Sequence, residues 1–282
     1  MSHPPDTISA VDAPLVAGIP EEERRPRNWL SPARDTFAIT WRNLIGIRRV
    51  PQLMVFTLIQ PVIFVLLFTY VFGGAIKGLP PGLSYVDYLI PGVFVQTAVF
   101  GSIITAVGMA TDLKSGIIER FRSLPMSPSA VLIGRSMSDL TRNVFVVILM
   151  GIVGFLVGFR YSSGLGDFLL GMLLVLAFGY ALSWVFAMVG IAVKDPETAQ
   201  AAAFPILAPL VFASSVFVPI GTMPGWLQAF AENQPVSLTA SAARHLMVAT
   251  PAGNDLLWSS VWIVGIVAVC APLSVWLYRR SV

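Results

Sequence analysis

The chain has 282 residues, of which 56% are hydrophobic and only 12% charged, with a mean hydropathy of +0.78. An ordinary soluble domain carries about 25% charge, so a water-soluble globular enzyme is excluded and a single polytopic membrane domain remains. The net charge of +3 comes without a basic cluster interleaved with aromatics, so no nucleic-acid partner is expected.

Residues 1–33 hold Pro4, Pro5, Pro14, Pro20, Pro26 and Pro32 among Glu21–Glu23 and Arg24–Arg27. Such a segment has too little apolar surface to repay ordering and reads as a flexible cytoplasmic tail without the apolar region of a signal peptide. In residues 34–49, Phe37, Trp41, Leu44, Ile45 and Arg48 fall on one helical face flanked by Arg34, Arg42 and Arg49. An amphipathic helix of this kind lies in the membrane interface, and Pro51 separates it from the first span.

Six long stretches then lack Lys, Arg, Asp and Glu: Val50–Ile76, Tyr88–Thr111, Asn143–Phe159, Phe168–Val193, Thr198–Ala231 and Leu256–Tyr278. About 20 apolar residues cross the hydrocarbon core, and backbone in lipid must satisfy its own hydrogen bonds. The predicted spans are therefore helices near 52–73, 88–110, 140–159, 168–193, 198–218 and 256–278. Asp139 and Arg142, one turn before the third span, are expected to snorkel to the headgroups. With the N-terminus inside, fifteen of the eighteen Lys and Arg fall on the cytoplasmic side, leaving Lys77, Arg160 and Arg244 outside. Both termini are then cytoplasmic.

Two connecting segments stand out. In residues 112–124, Leu113, Ile117, Phe121 and Leu124 recur at helical spacing among Asp112, Lys114, Glu119, Arg120 and Arg122, ahead of Pro125. The pattern predicts a short amphipathic cytoplasmic helix. Residues 219–250 carry Trp226, Leu227, Phe230, Leu246 and Met247, too apolar for a water-exposed loop. Two short helices dipping back into the outer leaflet would bury them. The single cysteine, Cys270, has no partner for a disulfide and reads as a small buried hydrophobe.

No G-x-x-x-x-G-K-[ST] occurs, because none of Lys77, Lys114 and Lys194 is preceded by Gly. ATP hydrolysis in this chain is not expected. His3 and His245 stand outside the spans, which removes the base of an intramembrane hydrolase. Charge-free spans argue against a coupling ion held by a buried carboxylate, the signature of the alternative, a secondary carrier or channel working without an ATPase. Gln60, Gln96, Thr97, Ser214 and Ser215 lie inside spans. They either line a substrate path or make interhelical hydrogen bonds. Gly154-Phe-Leu-Val-Gly158 is a G-x-x-x-G match for close helix packing.

The run Gly116-Ile-Ile-Glu119-Arg120-Phe121-Arg122-Ser-Leu-Pro125 resembles the coupling-helix signature of type-2 ABC exporter permeases. Pro219 and Met223-Pro224-Gly-Trp226, followed by Asn233-Gln-Pro235 and Arg244, are similar to the same family's motif between spans five and six. Leu89-Ile-Pro91-Gly92 adds to the match, which is closest to the daunorubicin/doxorubicin-resistance permeases of actinobacteria and covers the chain from about residue 30. Gln234 departs from the pattern, since members often join Asn and Pro directly.

The resemblance implies an exporter domain over residues 34–282 in a bacterial cytoplasmic membrane. A separate cytosolic ABC ATPase would bind ATP and Mg, leaving no cofactor in this chain, and a second permease chain, identical or homologous, would complete the transporter. Leu113, Gly116, Glu119, Arg120, Phe121, Arg122 and Pro125 would form the ATPase-coupling site, with the helix bearing Phe37, Trp41, Arg42, Leu44 and Arg48 beside it. The cargo would be an amphiphilic drug or lipid.

Overall fold

The computed structural model describes residues 51–115, 128–251 and 253–281. The tail 1–33, the interface helix 34–49 and Gly116, Glu119, Arg120, Phe121, Arg122 and Pro125 lie outside the described residues. Within them the chain is helical, with no strand. The helices are α1 (Pro51–Leu66), α2 (Tyr85–Lys114), α3 (Pro128–Val157), α4 (Leu165–Val193), α5 (Pro196–Phe212), α6 (Gly225–Asn233), α7 (Pro235–Val248) and α8 (Asp255–Ser281). A π-helical stretch, Leu67–Phe72, continues α1, and a 3₁₀ turn spans Ile220–Thr222.

Among the described residues, four helices are long and apolar enough to cross a membrane, at Tyr85–Lys114, Ile133–Val157, Leu165–Val193 and Asp255–Arg280; Ile59–Phe72 is a shorter apolar helix. Apolar composition on every face of α4 fits burial or lipid contact and excludes a water-facing side. α8 turns Leu257, Trp258, Val264 and Val269 outward, a surface that only lipid or another apolar partner suits.

The bundle is built around α2, which packs against α4 most extensively and also against α5, α3 and α7. Small residues permit this approach. A Cβ on Gly190 of α4 would strike the Ala106 carbonyl of α2, and one on Gly179 would sit 3.1 Å from the Ala98 Cβ. α1 is joined to the end of α5 through phenylalanines. Phe64 and Phe68, one turn apart, stack on Phe217 at 5.6 and 4.3 Å between centroids, and Phe212 joins at 5.7 Å.

Several expectations change. The helix that holds the third span starts before residue 140, at Pro128, because Arg135 and Asp139 find partners on α2 and so do not end the helix. Asp139 and Arg142 point into the protein, at 4% and 6% exposure, rather than snorkelling outward. The fifth span, expected to 218, ends as a helix at Phe212 after Pro205 and Pro209 have each withheld an amide. α2 continues without a break through Leu113 to Lys114, so no new helix starts at 112. In the G-x-x-x-G match only Gly154 packs closely, a Cβ there standing 3.0 Å from the Ile90 side chain; Gly158 has φ +112° and follows the end of α3.

Candidate functional site

Backbone that leaves a helix inside an apolar bundle exposes carbonyls that need donors from elsewhere. Residues 213–218, between α5 and the 3₁₀ turn, are such a segment, and side chains supply the donors. Arg244 of α7, 3% exposed, donates through Nη2 to the carbonyls of Ser215 (2.5 Å) and Val216 (3.0 Å) and through Nη1 to Ser215 Oγ (3.2 Å). Its Nε donates to the Tyr88 carbonyl at 2.7 Å. The Tyr88 hydroxyl donates to Ser215 O (2.8 Å), the Tyr85 hydroxyl to Phe217 O (3.0 Å) and Gln234 Nε2 to Ala213 O (2.5 Å). The Ser215 N–H donates to Ser237 Oγ at 3.0 Å.

Arg244 thus holds together α2, the segment 213–218 and α7. Pro91 lies inside α2 beside it, and Gly92 lets the segments meet: a Cβ there would collide with the Val216 carbonyl and stand 2.9 Å from Nη2 of Arg244. None of the ion pairs among the described residues involves Arg244. Its charge is met by carbonyl dipoles and by the Tyr88 ring.

The other residues of this motif build the frame. Pro219 and Pro224 precede the 3₁₀ turn and α6, and Pro235 opens α7, where its missing N–H costs nothing. The Met223 carbonyl accepts from Gln228 Nε2 at 2.7 Å. Trp226 stands apart from Arg244, 77% exposed on α6. Sequence reasoning missed Tyr85, Tyr88 and Ser237, and read Gln234 only as a departure. A pair of tyrosines opening an apolar span was the available signal.

At the opposite end of α2, charged residues tie its last turn to α3 and to the start of α5. Asp112 pairs with Arg135 of α3 at 2.7 Å, and Lys114 with Asp195 at 2.7 Å. Asp195 also caps α5, accepting from the Thr198 N–H (3.0 Å) and hydroxyl (2.9 Å). The Lys114 hydrogen bond, then those of Thr198, hold its carboxyl well below the usual carboxylate range. Lys194, at φ 61°, ends α4 just before it, making the α4–α5 connection very short.

Further in, the Asp139 carboxylate accepts from the Thr105 hydroxyl (2.6 Å) and from Arg142 Nη1 (3.1 Å), while Arg142 Nη2 donates to the Gly101 carbonyl (2.8 Å). At 1.5 Å per residue Arg142 stands about 22 Å along α3 from Val157, within the depth of a hydrocarbon core of about 30 Å. The pair survives there because each charge has a partner.

Of the span polar residues, Gln60, Gln96 and Thr97 meet around one cavity of about 160 Å³ between α1 and α2, with Pro61, Phe100 and Ile104 among its walls. Ser214 and Ser215 are elsewhere: Ser214 Oγ donates to the Val211 carbonyl, and Ser215 belongs to the Arg244 cage. Leu113 lies on the last turn of α2, packed beside the Met109–Trp184 cluster.

Apolar helices of spanning length, packed through small residues and closed by buried polar clusters, define a polytopic membrane protein. The family described as "ABC-2 type transporter" matches residues 34–248. The chain belongs to that family of transporter permeases. It is 36% identical over 246 residues, 87% of this chain and 86% of the relative, to the daunorubicin resistance ABC transporter permease protein DrrB1 of Streptomyces coeruleorubidus. It is 28% identical to the probable doxorubicin resistance ABC transporter permease protein DrrC of Mycobacterium tuberculosis, covering 68% of this chain and 70% of the relative. A putative transport permease, ycf38, of Cyanophora paradoxa is 23% identical over 76% of this chain and 74% of its own length.

Proposed function

We propose that the chain is the permease subunit of an ATP-driven exporter that moves an amphiphilic drug or lipid out of the cytoplasm or inner leaflet of a bacterial cytoplasmic membrane. On this reading α1 with its π-helical continuation, α2, α3, α4, α5 and α8 are six spans, both termini are cytoplasmic, and α6 and α7 are re-entrant at the outer face. ATP and Mg are bound by a separate ATPase, and two permease chains, identical or homologous, complete the transporter. The names of the drug-resistance relatives support a drug as cargo.

The observation that carries coupling is the bracket at the Lys114 end. Asp112–Arg135 and Lys114–Asp195 tie α2 to α3 and to the start of α5, so a push delivered between residues 116 and 127 passes to three helices at once. In this scheme Leu113, Gly116, Glu119, Arg120, Phe121, Arg122 and Pro125 dock the ATPase. The segment 34–49 is a second contact, and ATP-driven closure favours one arrangement of the bundle over another.

Purification of the tagged protein from membranes, beside a Glu119→Ala/Arg120→Ala variant, tests this. Co-purification of an ATPase with the wild type, lost or uncoupled in the variant, is expected. Wild-type protein that comes down alone, yet moves substrate in liposomes without any ATPase, overturns it.

The second reading, a carrier without an ATPase, gains one observation in the buried carboxylate of Asp139. Its oxygens are taken by Thr105 and Arg142, which argues against a coupling ion at that site.

A further inference from the structure

Gln96 is 1% exposed, and its Oε1 accepts no hydrogen bond. A buried carbonyl without a donor forfeits the water it gave up on folding, and this one belongs to a side chain lining the cavity between α1 and α2. Gln60, whose amide is the other side-chain N–H donor at the cavity, makes no hydrogen bond to Gln96 Oε1. Thr97 spends its hydroxyl proton on the Val93 carbonyl at 2.7 Å, leaving only lone pairs, and Pro61 across the cavity has no N–H. No carboxylate is among the described residues lining it, and the remaining walls include Phe100, Ile103 and Ile104. Gln96 is eleven residues along α2 from Tyr85, about 17 Å, near the middle of a core about 30 Å thick.

We propose that this cavity binds the polar end of a membrane-dissolved amphiphile whose hydrogen-bond donor is a neutral hydroxyl, received by Gln96 Oε1. This rests on reading the chain as a permease for amphiphiles and names the chemistry its path selects. A hydroxyl at mid-membrane has no water to bond, so ligand and glutamine each gain a partner absent in lipid. A charged ammonium would enter without a counter-charge and lose its solvation uncompensated. The cavity volume fits a group of a few heavy atoms, with the apolar body of the ligand lying along Phe100 and Ile104.

The test uses the full chain in phosphatidylcholine nanodiscs with no ATPase present. A long-chain alcohol carrying an aliphatic diazirine is photolysed, and the label is mapped by mass spectrometry under competition from 1-decanol or decyl methyl ether at matched membrane concentration. The label is expected in peptides holding Gln60 or Gln96–Ile104, with the alcohol competing about tenfold better than the ether. Gln96→Met, similar in length but without an acceptor amide, should erase that preference while its melting midpoint stays near wild type. Equal competition by alcohol and ether in the wild type, or a label confined to other helices, overturns the proposal without recourse to any variant. Because no ATPase is present, the result is independent of the exporter reading. A specific label alongside failure to co-purify an ATPase would keep the site and remove the exporter, and the reverse pair of results would do the opposite.

Discussion

The guanidinium of Arg244 lies over the ring of Tyr88, 3.7 Å from its centroid, and both residues donate to the same carbonyl, that of Ser215. One cation therefore seals the non-helical end of α5 against α2 and α7.

Lysine cannot reproduce this arrangement, because its point charge lacks the planar fork that reaches three carbonyls and a hydroxyl. Arg244→Lys leaves buried acceptors unmet at about 1–3 kcal/mol each, partly recovered by the ammonium. A drop in melting midpoint of roughly 2–4 °C per kcal/mol is expected in nanodiscs, read by intrinsic tryptophan fluorescence. An unchanged midpoint would mean that the cage contributes nothing to cohesion.

Close approach of α2 and α4 depends on a missing side chain. Gly190→Ala places a methyl against the Ala106 carbonyl, a backbone atom that cannot swing away, and overpacking of this kind costs about 1–3 kcal/mol. Gly166→Ala, in the first turn of α4 with open space around it, is the matched control and should be neutral or slightly stabilising. Size-exclusion profiles after graded heating should separate the two variants.

The Asp139–Arg142 pair predicts an asymmetry between single and double variants. Asp139→Asn leaves the buried Arg142 charge uncompensated, a loss of about 3–5 kcal/mol. Asp139→Asn combined with Arg142→Gln removes both charges and should recover most of it. A thermal double-mutant cycle measures the coupling, and simple additivity would show that the two groups do not depend on each other.

Asp195 gives a pH signature. Its folded carboxyl is held below the ordinary value of 3.8, so its contribution is fully present above that value and lost as pH falls below it toward the folded pKa. Asp195→Asn keeps a capping side chain for α5 while removing the charge. The gap in melting midpoint between wild type and variant should be constant above about pH 5 and close as pH falls through the range below 4. A gap that persists at the lowest pH would assign the effect to the cap alone.

The helices were legible in the sequence because spans lacking charge are long and leave the backbone no other structure in lipid. Where charges do occur inside the bundle the same rule misplaces the boundary. Asp139 and Arg142 read as the edge of a span, yet they face α2, where Thr105 and the Gly101 carbonyl await them, as Asp112 does Arg135. Arg244 was visible as part of a motif, but Tyr88 is 156 residues away and Ser215 is 29, distances no local pattern bridges. Gln234 shows the same limit, since what looks like an interruption between Asn233 and Pro235 is the donor to the Ala213 carbonyl.

The two ends of the bundle also differ in how they feel dissolved ions. Around Arg244, which is 3% exposed, cohesion runs through dipoles and a ring face rather than through an exposed ion pair, so added electrolyte weakens it little. At the far end Lys114 and Asp195 meet with side chains 64% and 36% exposed, and the screening length shrinks from about 8 Å in physiological saline to about 3 Å at 1 M. Brine therefore acts more strongly at the Lys114 end than at the Arg244 end. It slackens the lashing beside residues 116–127 and leaves the Arg244 end tight, which makes ionic strength a way to loosen one end of the bundle with little effect on the other.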